Sequence, residues 1–252
     1  MNTVTVPDIE FLFCKLPLKE LSCGHYYFRG VANSSYELIP TIGRQQNACE
    51  KKFLDDFRIK GRGLVQCEPH NLWEWMALAQ HHGIPTRLLD WSSSMLTALY
   101  FASTKNMGAN GLLENHKTDC ALYVAHCCNF INIEEDGEGC LDPLHCPQTG
   151  FVVTPHIATR MSGQDGLFSI QNDPSSDFAK QYESIGTENH ITKYIIPLEV
   201  REEVFFILQR IGFRTGTIFP DLDGLSKEIK QNQSMECCFA PSIPWQAEKF
   251  FG

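Results

Sequence analysis

The stretch QHHGIPTRLLDWSSSMLTALYFA, residues 80–102, sets a helix end, a strand and a helix start in immediate succession. Gly83 stands where a left-handed C-cap ends a helix, and Pro85 just beyond it cannot continue one. Upstream, residues 69–82 carry Leu72, Trp75, Met76 and Ala79 at helical spacing, with Pro69 suited to the first turn. TRLLDW, residues 86–91, reads as a buried strand. Ser92, Ser93 and Ser94 offer N-caps to a helix over 95–102 that is apolar on nearly every face and so belongs in the core. Outward from this stretch the alternation continues. HYYFR (25–29) is an aromatic strand stopping at Gly30, and residues 50–60 form an amphipathic helix with Phe53 and Phe57 four apart. CALYVA (120–125) is a core strand, and 151–154, 166–170 and 191–196 are further strands. Val200, Val204, Leu208 and Ile211 share a helical face closed by Gly212, and residues 223–230 form a last short charged helix. The expected fold is α+β, a mixed α/β single compact domain with a central mixed sheet of about five to seven strands flanked by helices.

Composition narrows the function classes. The 252 residues are 43% hydrophobic and 20% charged, which is globular and not disordered. The net charge of −9 gives no footprint for broad nucleic-acid binding. No apolar run approaches the ~18 residues of a membrane span. The opening MNTVTVPDIEFLF has no basic stretch followed by an apolar one, so a secretory signal is not expected and the cytoplasm is the expected compartment. Eleven cysteines then read as reduced thiols, mostly buried. His126, Cys127, Cys128, Cys140, His145 and Cys146 are zinc-competent, but their spacing lacks paired ligand knuckles, and no metal site is expected. Loops 106–119 and 129–149 are long and expected to be mobile; the acidic run Glu134, Glu135, Asp136 and Glu138 reads as solvated surface.

Two segments carry polar groups on an apolar framework. Arg29 ends a strand at a glycine and presents a rigid fork of donors suited to phosphate or carboxylate. Pairing with a carboxylate such as Asp90 would serve equally to tie two strands together. In the second segment His81 and His82 end a helix, Thr86 and Arg87 open a strand, and Asp90 with Ser92 to Ser94 closes it. Each has a plain alternative: capping for the serines, C-terminal capping for the histidines. Their co-occurrence points to one cleft lined by Arg29, His82, Thr86, Arg87, Asp90 and Ser92 at a sheet edge.

The segments YFRG (27–30), YELIPTIGR (36–44), QHHGIPTRLLDWSSSMLTALYFA (80–102), RMSGQDGLF (160–168) and IFPDLDGLSKEIK (218–230) resemble, in order, those of the FRG domain family. The resemblance implies an FRG-like domain over 25–232, an N-terminal extension over 1–24 and a C-terminal tail over 233–252 packed on the domain. It also implies a setting among bacterial toxins and phage-defence genes.

A more distant resemblance is to ADP-ribosyltransferases of the Arg-Ser-Glu type. Tyr27-Phe28-Arg29-Gly30 is similar to their first motif. Asp90-Trp91-Ser92-Ser93-Ser94 followed by Ala98-Leu99-Tyr100-Phe101-Ala102 is similar to their second. It implies that Arg29 binds the phosphates or ribose of NAD as substrate and that Gly30 offers its backbone to the nicotinamide amide. Ser92 or Ser94 would brace the first motif around the nicotinamide ribose; His82, Thr86 and Arg87, from the cleft reading above, are expected to complete the NAD site. The third motif departs: Gln164-Asp165-Gly166-Leu167-Phe168 lacks the Glu, and Gln164 brings no charge to the ribose 2′-OH. The implied catalytic set is Arg29, Asp90 and Gln164, with Glu74 and Glu37 as other acids. The expected function is an NAD-dependent ADP-ribosyltransferase-like or glycohydrolase toxin or antiviral effector. Its partners would be NAD or another nucleotide, a macromolecular acceptor and an antitoxin or regulatory partner, with no membrane. The alternatives are a non-catalytic nucleotide- or protein-binding module and a metal-dependent nuclease using Asp90 and the histidines.

Overall fold

Gly83, at φ +82°, ends a helix as its place before Pro85 requires. In the computed structural model, which describes residues 1–16, 26–65, 67–108, 113–127, 130–133, 142–153, 166–186 and 189–236, that helix, α2, spans Leu72–His81. Its N-cap is Asn71, whose side chain accepts from the Glu74 N–H, so the helix starts three residues after Pro69. Before it come strands β1 (Asn2–Thr5) and β2 (Tyr26–Val31) and helix α1 (Glu50–Gly61). Strand β3 (Leu89–Ser92) and helix α3 (Met95–Ser103) follow. The rest is β4 (Cys120–His126), β5 (Gly150–Val152), β6 (Gly166–Ile170), α4 (Phe178–Glu183), β7 (His190–Ile196), α5 (Leu198–Arg210), α6 (Thr215–Ile218) and α7 (Leu222–Glu236).

The strands form one mixed α/β sheet in the order β1-β7-β4-β2-β3-β6-β5. β1 runs parallel to β7, and every other pairing is antiparallel. Residues 2–5, set apart in the sequence as an extension, are therefore its edge strand. The two-residue period of β4 assigns its faces. Cys120, Leu122 and Val124 pack with Leu99 and Ala102 of α3 and Val204 and Leu208 of α5. Ala121, Tyr123 and Ala125 pack on the other face with Trp91, Phe151, Phe178 and Tyr182. Helix α3, apolar all round in sequence, lies in the first of these layers as expected.

One irregularity prepares the site. β2 pairs with β4 over six residues and β3 with β6 over four, but β2 and β3 meet only at Phe28 and Ser92. That register would set Gly30 opposite Asp90, yet the strands part there. The strand expected over 86–91 accordingly starts late. Thr86 instead belongs to a turn, where its hydroxyl accepts from the Leu88 N–H (3.2 Å).

Away from this edge, the Glu202 carboxylate on α5 joins Lys105 (2.5 Å) and His116 (2.8 Å), pinning the segment after α3. Burial holds the His116 imidazole below its ordinary value. Burial opposes ionisation of Glu202, but Lys105 and His116 outweigh it and hold the carboxyl low. In both cases the unfolded chain takes up its proton at higher pH than the folded one, so acid favours unfolding. Stability should be full at pH 7.5 and fall below pH ~6.5, where an unfolded histidine protonates. Thermal melts of His116→Asn should show a flatter dependence between pH 7.5 and 5.5; an unchanged slope would contradict this assignment.

Among the described residues no helix is long and apolar enough to cross a membrane. Parts of both long loops (109–112, 128–129 and 134–141), the acidic run, Cys128 and Cys140 lie outside the described residues, as does 237–252 of the tail. Of the zinc-competent side chains that are described, Cys127 and Cys146 are buried in different clusters, His126 stacks on His190, and His145 pairs with Asp142.

Candidate functional site

Where β2 and β3 part, the Arg29 guanidinium spans the gap. Its Nη1 donates to the Asp90 main-chain carbonyl and lies 3.7 Å from Asp90 Oδ2. The Arg29 side chain is 19% exposed, whereas that of Asp90 is 58% exposed, so the carboxylate stands at the mouth and the arginine in the wall. Burial holds the Arg29 guanidinium below its ordinary value, with Asp90 opposing and Arg44 reinforcing that shift. The two charges flank a cleft of about 380 Å³. Phe28, Phe101 and Phe219 provide aromatic walls, and Gln80, His81 and Ser92 add polar groups.

Each lining group is delivered by its element. Phe28 and Ser92 are the one register pair that joins β2 to β3. Gly30 lies under α3, where a Cβ would stand 1.8 Å from the Ala98 carbonyl oxygen, so only glycine lets strand and helix approach this closely. The Ser92 hydroxyl accepts from the Ser94 N–H (3.0 Å), and the Ser94 hydroxyl caps α3 through the Thr97 N–H (3.3 Å). Phe219, at the end of α6, packs edge-on against Phe101 at 6.1 Å and closes the far side. Gln80, in the last turn of α2, donates through Nε2 to Asp90 Oδ2 (3.0 Å) and to the Leu88 carbonyl (3.3 Å).

Arg29, Gly30, Asp90 and Ser92 thus line one cleft. Three residues expected there lie elsewhere. His82 is exposed beside Phe57 (6.1 Å), and His81 lines the cleft in its place. His82 is the C-cap of α2, one residue past its last turn, and its ring meets that of His81 edge-on at 5.2 Å without lining the cleft. Arg87 is held by Glu50, Nε to Oε2 at 2.7 Å, beside a separate cavity. Thr86 is buried behind Gln80, to whose Oε1 its hydroxyl donates at 2.5 Å. Ser94 serves as a helix cap. Of the other acids, Glu74 accepts from the His70 N–H at the far end of α2, and Glu37 pairs with Lys180 (3.7 Å). Gln164 and Asp165 lie outside the described residues. Sequence reasoning missed Gln80, Phe101 and Phe219 as lining residues. Gln80 opens the central stretch and Phe219 sits in IFPDLDG, so motif membership was the available signal.

No curated protein and no solved structure matches the chain. A family model does match, that of the FRG domain, over residues 24–110. This region supplies β2, α1, α2, β3 and α3, and with them every cleft residue named above except Phe219. Over residues 24–110 the chain is similar to the FRG domain.

Proposed function

We propose that the cleft takes NAD as its substrate and transfers ADP-ribose to a macromolecular acceptor, as a toxin or defence effector held in check by a partner. The observation that carries this reading is the opposition of Arg29 and Asp90 where two strands part, inside a cleft walled by Phe28, Phe101 and Phe219. A guanidinium fork suits a pyrophosphate, and aromatic faces suit a nicotinamide ring. In the reaction the bond between ribose C1′ and the nicotinamide nitrogen breaks, and its electron pair returns to the ring. The ribosyl cation is then captured by the acceptor's nucleophile, which loses its proton. Asp90 is the one carboxylate among the described lining residues, and it stands where it can stabilise that cation. Water as acceptor would make the same site a glycohydrolase.

Nicotinamide release from NAD tests this reading. Asp90→Asn should lower kcat by ~10²-fold with little change in KM, the loss expected for a preorganised charge. Arg29→Ala should raise KM for NAD by roughly 100-fold, the worth of a charge-assisted pair of hydrogen bonds. Arg29→Lys should fail similarly, because lysine lacks the fork. All three variants should melt within about 5 °C of wild type, since no more than one or two hydrogen bonds are lost. Release that is unaffected by Asp90→Asn would overturn the assigned chemistry. NAD binding without release would favour a nucleotide-binding module, a reading helped by the engagement of Asp90 Oδ2 with both Gln80 and Arg29.

A further inference from the structure

Thr86 and Gln80 make a chain of hydrogen bonds that ends on the cleft carboxylate, and its direction follows from elementary valence. The Leu88 N–H can only donate, so Thr86 Oγ1 accepts from it at 3.2 Å. At the other end of Gln80, the Leu88 carbonyl (3.3 Å) and Asp90 Oδ2 (3.0 Å) are both acceptors. Only an amide NH2 satisfies both, one proton to each. The Gln80 oxygen must therefore face Thr86, and the single Thr86 hydroxyl proton goes to it at 2.5 Å. Thr86 is 2% exposed, so solvent does not compete for that proton. One buried hydroxyl thus fixes which way the amide faces, and the amide fixes Asp90.

Among the described residues, the contacts to the carboxylate fall on one oxygen. Gln80 and Arg29 both approach Oδ2, which leaves Oδ1 for whatever enters the cleft. We infer that Thr86 and Gln80 are positioning residues, which act through the amide orientation to present Asp90 Oδ1 to the substrate. The inference deepens the NAD reading and rests on it for its kinetic consequence, while the relay itself can be observed without any ligand.

The test uses the full chain with three substitutions and two readouts. In nitrogen-edited NMR spectra without ligand, the Gln80 side-chain NH2 should give two resolved, slowly exchanging signals in wild type and in Thr86→Ser. In Thr86→Val they should broaden or move toward free-amide positions. With NAD as the probe, Thr86→Val and Gln80→Met should each lower kcat for nicotinamide release by roughly tenfold, about one hydrogen bond's worth, and Thr86→Ser should restore it. Because Thr86→Val also removes the acceptor for the Leu88 N–H, Gln80→Met reaches the same link without touching that turn. Unprotected Gln80 signals in wild type, or full turnover in both Thr86→Val and Gln80→Met, would overturn the relay. Protected signals in a wild-type protein that releases no nicotinamide would support the relay and count against the NAD reading alone.

Discussion

Gly30→Ala should lower the melting temperature by roughly 6 °C or more, corresponding to a loss of about 3 kcal/mol for a chain of this size. A Cβ at Gly30 would stand 1.8 Å from the Ala98 carbonyl oxygen and 2.8 Å from the Ala102 nitrogen. Both obstructing atoms are backbone of α3, so no rotamer change relieves the clash. Strand and helix must separate, and Phe28, Leu99 and Ala102 share the core that would open. Gly63→Ala is the matched control, because a Cβ there meets nothing within 4 Å. That substitution should change stability by no more than ~0.5 kcal/mol. Equal melting of Gly30→Ala and wild type would refute the close packing of β2 on α3. The resemblance to ADP-ribosyltransferases assigns the Gly30 backbone to nicotinamide, but strand–helix contact alone already demands a glycine.

Arg87→Met should destabilise the fold by ~3–5 kcal/mol, the effect of breaking a buried ion pair and stranding its partner. The side chains of Arg87 and Glu50 are 13% and 7% exposed, and Glu50 also accepts from the Arg87 N–H at 2.7 Å. The double variant Arg87→Met with Glu50→Met should recover much of the loss, since neither charge then remains buried alone. Turnover per folded molecule should be unchanged in either, because Arg87 lies beside a separate cavity and not the cleft. Thermal melting of the two variants beside wild type, with activity normalised to folded protein, checks both statements. A stable Arg87→Met that no longer binds NAD would return this arginine to the ligand site.

The contrast between Arg29 and Arg87 shows where sequence reading reaches its end. Both arginines stand beside an apolar strand, and each has a carboxylate among its neighbours. The carboxylate of Arg87, on Glu50, comes from 37 residues away and caps nothing in the local pattern. Asp90 lies farther still from Arg29, 61 residues away, but it stands in a motif segment of the sequence and Glu50 stands in none. Local signals did much better. Gly83 and Gly212, both at positive φ, end helices where their sequence context placed them, and Ser94 caps α3. Gly166–Ile170 forms the expected strand, and the two-residue alternation of β4 sorts its side chains to opposite faces. Residues 2–5 were missed because four residues with one partly buried side chain carry no periodicity, and their pairing with β7 is set from the opposite end of the chain. At the site, Arg29, Asp90 and Ser92 were legible because all three lie in strands read from local pattern, although β2 runs on through Gly30 to Val31 instead of stopping at the glycine. Phe219 comes from α6 and reaches the cleft only through tertiary packing.

The assignment of NAD to the cleft where β2 and β3 part has one direct test: a crystal soaked with an NAD analogue whose C1′–nicotinamide bond cannot break. The expected density places a pyrophosphate oxygen ~3 Å from the Arg29 guanidinium, the ordinary distance for a charge-assisted hydrogen bond. It also places the nicotinamide ring among Phe28, Phe101 and Phe219 and a ribose hydroxyl against Asp90 Oδ1. Density for the analogue elsewhere on the chain, or an empty cleft at saturating concentration, would contradict the assignment of this site to NAD.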